Sequence, residues 1–125
     1  MLCTKLKNYT KVLPLVTFRN LDKDGDGKTD HIAVEMRNDI GTGSATVKEV
    51  MIDGVSVPAG RIILTIGTRP PRSFNPATEI YSEYGDTILF EIAKDGGLSP
   101  GEHSLGLKAA VGWREQTVTL KGNLL

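Results

Sequence analysis

Cysteine is nearly absent from this 125-residue chain, with Cys3 the only one. A single thiol excludes an internal disulfide and any Cys-based zinc cluster. Histidine is scarce as well. There are only His31 and His103, and they form no pair at the helical spacing that zinc uses. Aromatic residues make up 6% and do not interleave with basic ones, which argues against a stacking platform for single-stranded nucleic acid. An excess of charge of one sign is also missing, because 15 Lys and Arg balance 15 Asp and Glu. The electrostatic footprint of a nucleic-acid or membrane-surface binder is therefore lacking. No apolar run approaches the ~20 residues of a membrane-spanning helix. Residues 1–8 contain lysines but no apolar core or small-residue cleavage site, so the expected location is the cytoplasm. The length suits one domain, residues 1–125, with one core.

No stretch carries a 3.6-residue apolar stripe long enough for a helix. The recurring period is two. Val12, Leu13, Leu15, Val16 and Phe18 mark a first strand, with Pro14 favouring an edge or a bulge. Ile32, Val34 and Met36 form one face of a second. Residues 46–52 and 55–57 read as a hairpin closed by Asp53-Gly54. Further strands are expected at 61–66, 79–84, 87–93, 105–109 and 116–120, with irregular stretches at 67–78 and 94–103. Some eight short strands with frequent turn signals predict an all-β fold, an antiparallel β-sandwich.

The densest chemistry is Asp22-Lys23-Asp24-Gly25-Asp26-Gly27-Lys28-Thr29-Asp30. Asp22, Asp24, Asp26, the Lys28 carbonyl and Asp30 stand at positions 1, 3, 5, 7 and 9 of an acidic calcium loop. Position 12, where a helix-loop-helix site uses a bidentate Glu, is Ala33, and the following alternation belongs to a strand. Two readings stand side by side: a structural Ca²⁺ site of hard oxygens, or a solvated polar hairpin turn.

No self-sufficient catalytic constellation is visible. Ser99 and Ser104 lie near His103 without a nucleophile-elbow motif, and Gly96-Gly97 is too short for a phosphate loop. The candidates for partner binding are Arg69, Arg72 and Phe74 in the Pro-rich connection, together with Trp113, since Arg and aromatic residues are enriched at interfaces. For Trp113, the sole tryptophan, core packing is the first expectation, and a protein contact or sugar stack is the sharper alternative.

Phe18-Arg19-Asn20 lies near the start of the chain. Asp53-Gly54-Val55-Ser56-Val57-Pro58 follows, ahead of a strand and Gly67, and Gly96-Gly97-Leu98-Ser99-Pro100-Gly101-Glu102-His103 precedes a later strand. In this order, over residues 17–110, the segments resemble the small β-subunit of bacterial C-glycoside deglycosidases. The resemblance implies a small β-sandwich docked on a larger barrel subunit that carries the divalent metal and the acid–base groups. The complex cleaves the C–C bond between a 3-oxo sugar and an aromatic aglycone. On this reading the chain is a non-catalytic accessory subunit of a heteromeric C–C lyase complex, and no catalytic residue carries over to it. The acidic turn followed by a strand is also similar to calcium hairpins in extracellular adhesion modules. That alternative implies a calcium-stabilised surface domain outside the cell.

Overall fold

Ile32 and Val34 are buried on one side of a seven-residue extended segment, and this inward face sets the frame of the molecule. The computed structural model describes residues 16–39 and 41–124. Ten strands occur among them: β1 (Val16–Leu21), β2 (His31–Arg37), β3 (Gly43–Ile52), β4 (Val55–Ser56), β5 (Ile62–Ile66), β6 (Arg72–Ser73), β7 (Glu79–Ser82), β8 (Thr87–Ala93), β9 (Gly101–Val111) and β10 (Arg114–Leu124). The only helical turn among the described residues is a 3-10 turn at Ala59–Arg61. Cys3, the triplet Asn8-Tyr9-Thr10, whose sequence fits the glycosylation acceptor pattern, and Val12 to Leu15 of the expected first strand lie outside the described residues.

The expected all-β architecture is present. Its strands join into one mixed sheet in the order β4-β3-β9-β10-β1-β2-β8-β5-β6, with β7 added on β3. Every pairing is antiparallel except β1 with β10, which run parallel with Phe18 opposite Leu124. That parallel seam joins two antiparallel halves that would otherwise be separate layers. The sheet curls into a half-barrel, and the halves share one core. Val50, Leu105 and Leu120 come from one half, and Ile32, Leu64 and Phe90 from the other. Each such side chain, once buried, contributes roughly 1.5–3 kcal/mol relative to exposure. Gly122 permits the seam, because a Cβ there would run into the Val16 carbonyl oxygen.

Strands β3, β9 and β10 are longer than alternation predicts. β10 starts at Arg114 because the hairpin register with β9 continues unbroken from Arg114 opposite Val111, although residues 114–117 are exposed and polar. β3 starts at Gly43 and carries a bulge between Val47 and Glu49. The extra residue resets the alternation, so Val47 and Val50 both face the core.

Candidate functional site

The three segments that carry the family resemblance meet in space. The Phe18 ring lies against His103, with ring centroids 5.7 Å apart. Asn20 donates from Nδ2 to the Leu98 carbonyl at 3.0 Å, and the Leu98 N–H returns to Asn20 Oδ1 at 2.9 Å. Gly97 makes this approach possible. A Cβ at that position would strike Asn20 Oδ1 and Thr29 Cγ2, and its φ of +65° suits glycine. Asp53 sits at φ +51° and Gly54 at +81°, so the two form a tight turn of the mirror-image hairpin type. The turn brings the Asp53 carboxylate to the Ser104 N–H at 2.8 Å and to His103 Nδ1 at 2.6 Å. His103 Nε2 lies 2.7 Å from the Ser99 backbone carbonyl. A general base needs a free ring nitrogen, and here both are engaged by acceptors. His103 is thus a positively charged pin, and its ties run to Asp53 and the Ser99 backbone rather than to a serine hydroxyl.

The acidic loop connects β1 to β2. One oxygen each of Asp22, Asp24 and Asp30 lies within 4.8 Å of the others, a cluster that could hold a metal ion. Asp26 is outside this group, and its Oδ1 accepts the Lys28 N–H at 2.8 Å. The carboxylates also organise the loop backbone. Asp22 accepts the N–H groups of Gly25 at 2.8 Å and Gly27 at 2.7 Å. Asp30 accepts those of Lys23 at 2.9 Å and Asp24 at 3.3 Å. His31 Nδ1 contacts Asp30 Oδ1 at 2.8 Å. The Lys23 N–H, followed by His31, holds the Asp30 carboxyl down at about 2. Desolvation raises the Asp22 pKa, but the Gly27 N–H, the Asp24 carboxyl and the Gly25 N–H outweigh it, and the net shift is downward. The Asp26 N–H favours the charged form of Asp24. Hydrogen bonding to Asp22, desolvation and the Asp30 charge prevail over it and push Asp24 upward. Ala33, at the twelfth position, is buried in β2.

The expected surface of Arg69, Arg72 and Phe74 does not exist as one patch. Phe74 is only 6% exposed and packs in the core. Strand β6 clips the loop to β5, and the Phe74 N–H donates to the Ile62 carbonyl at 3.1 Å, which turns the ring inward. Arg69 is committed to Asp86 at 3.2 Å and lies over the Tyr81 ring at 5.8 Å. Arg72 is exposed on the short β6 edge. Trp113 reverses the core-packing expectation, for it is 92% exposed at the β9–β10 turn.

Beside that turn opens a cleft of about 320 Å³ between the two halves of the sheet, lined by Met36, Val47, Ile80, Ile88, Leu107 and Val111. Val111 is 59% exposed at the cleft and pairs with Arg114 across the hairpin. Asn38 Nδ2 donates to Ser82 Oγ and to the Gly41 carbonyl, each at 2.9 Å, and joins Arg37, Ser44 and Ser82 in the polar part of the lining. Neither the cleft nor the Asp53–His103 pin has a local sequence signal, since each depends on residues far apart along the chain. No helix among the described residues is long and apolar enough to cross a membrane. No protein-family model matches the chain, and no curated protein matches it.

Proposed function

We propose that this chain is a non-catalytic small subunit of a C-glycoside deglycosidase-type complex, docking on a metal-dependent barrel subunit that performs the C–C cleavage. The observation that carries the reading is Trp113, 92% exposed at the hairpin turn two residues beyond Val111, which lines the apolar cleft. A solvated tryptophan beside unfilled apolar surface is the composition of an interface anchor. The convergence of the resemblance segments on a structural pin, rather than on a reactive group, also favours an accessory role.

Co-expression with a barrel-fold protein encoded beside this chain should yield a complex that cleaves a 3-oxo-C-glycoside, with neither protein active alone. Trp113→Ala should weaken the complex at least about tenfold at unchanged melting temperature. A barrel protein whose size and activity are indifferent to this chain would overturn the reading.

The Asp22, Asp24 and Asp30 cluster favours a second reading, a calcium-stabilised surface module. Three carboxylate oxygens supply half or less of the six to eight that Ca²⁺ takes, leaving carbonyls and water for the rest. Binding would raise the melting temperature in millimolar Ca²⁺ over that in chelator, and Asp24→Asn would remove the difference. Equal melting temperatures in Ca²⁺ and chelator reject this reading.

A further inference from the structure

At the other end of β5 and β8 lies a second cavity, of about 310 Å³, which shares no lining residue with the apolar cleft. Its apolar walls include Ile52, Val57, Ile92 and Leu98, and Arg61 and Lys94 line it as well. Among the described residues, neither cationic side chain has an ion-pair or hydrogen-bond partner. One carboxylate, Asp53, also lines the cavity. Both of its oxygens are engaged, Oδ1 by the Ser104 N–H and Oδ2 by His103. The imidazolium of His103 offsets the Asp53 charge, so the cavity keeps two uncompensated positive charges against apolar walls.

We infer that this cavity binds a small organic anion, a carboxylate or phosphate on an apolar body, with the anionic group held by Arg61 and Lys94 and the body against Ile52, Val57, Ile92 and Leu98. The volume falls at the lower end of small-molecule sites, roughly 300–1,000 Å³, which suits a ligand of a single ring. An arginine fork matches either anion in bidentate fashion, and a lysine adds a point charge. The 3-10 turn fixes the backbone at Arg61, whose N–H donates to the Pro58 carbonyl at 3.0 Å. On the facing side, the Lys94 N–H donates to the Asp30 carbonyl at 2.9 Å.

The test is a titration of the full chain with benzoate, phenyl phosphate and neutral benzamide, followed by amide resonances. Benzoate or phenyl phosphate should give saturable shifts confined to residues 52–61 and 92–98, with the tighter of the two identifying the anion. Benzamide should bind at least about tenfold more weakly, and an Arg61→Gln, Lys94→Gln double variant should lose affinity for the anion by a similar factor. Both side chains are exposed, so an unchanged circular dichroism spectrum is expected for the double variant. Three results would each overturn the inference: benzamide binding as tightly as the anions, unaltered affinity in the folded double variant, or no localised shifts with either anion.

Discussion

His103 donates from Nδ1 to Asp53 Oδ2 across 2.6 Å, and its other nitrogen meets the Ser99 carbonyl at 2.7 Å. The Ser99 carbonyl, and then the Asp53 carboxylate, raise the His103 pKa above its ordinary 6.5. Desolvation works against the Asp53 charge, but His103 and the Ser104 N–H outweigh it and lower the Asp53 pKa below its ordinary 3.8. A raised histidine stabilises the fold fully below 6.5, and its contribution disappears as pH rises through the elevated value. A lowered aspartate contributes above 3.8, and that contribution disappears as pH falls through the depressed value.

The link is therefore complete between about pH 4 and about pH 6.5. The melting temperature should fall on going from about pH 6 to about pH 9, and His103→Gln should flatten most of that decline. Calorimetry across the range checks this, and an equal alkaline slope in the variant would contradict it.

Phe74 and Trp113 should behave in opposite ways. Phe74→Ala empties a core position and should cost about 3–5 kcal/mol in urea unfolding. Trp113→Ala, at a fully solvated turn, should stay within about 0.5 kcal/mol in the isolated chain. A large loss for Trp113→Ala would place its indole in the fold rather than at an interface.

Gly122→Ala should be more damaging than Gly97→Ala. At Gly122 the new methyl meets the Val16 carbonyl, which is backbone and cannot swing aside. At Gly97 it meets the side chains of Asn20 and Thr29, which can move, although the positive φ adds strain. Gly97→Ala is expected to cost about 1–3 kcal/mol and Gly122→Ala more, read from denaturant midpoints.

Asp30→Asn should loosen the acidic loop from within. Asp30 accepts the Lys23 and Asp24 N–H groups. With the carboxylate neutralised, hydrogen exchange at Lys23 and Asp24 should quicken while core amides on β2 and β8 keep their protection. In the unaltered chain, the same loosening should appear as acid approaches the Asp30 value of about 2.

The all-β class was legible because Ile32, Val34 and Met36 and their counterparts alternate along nearly every strand. The single curled sheet was not. Its seam pairs Phe18 with Leu124, from opposite ends of the described chain, and no local pattern announces a parallel partner. Phe74 misled because Pro and Arg neighbours look solvated, whereas the backbone bond to Ile62 that turns the ring inward is a tertiary event. The acidic loop was legible as a turn, since its chemistry is local. The departure of Asp26 from the cluster was not, because it depends on which N–H each carboxylate takes. Arg61 and Lys94 meet only when β5 and β8 pair, with Ile62 opposite Ile92.

The parallel seam also bears on the order of folding during synthesis. Strand β1 is made just before its partner β2, but its other flank waits for β10, the last strand described. Until then the nascent sheet carries an open hydrogen-bonding edge next to half-covered apolar residues, the combination most prone to mispairing between chains. Closure over so long a separation is intrinsically slow. Newly made chains should thus depend on holding factors until β10 has been synthesised, and a circularly permuted form that makes β10 adjacent to β1 should mature faster.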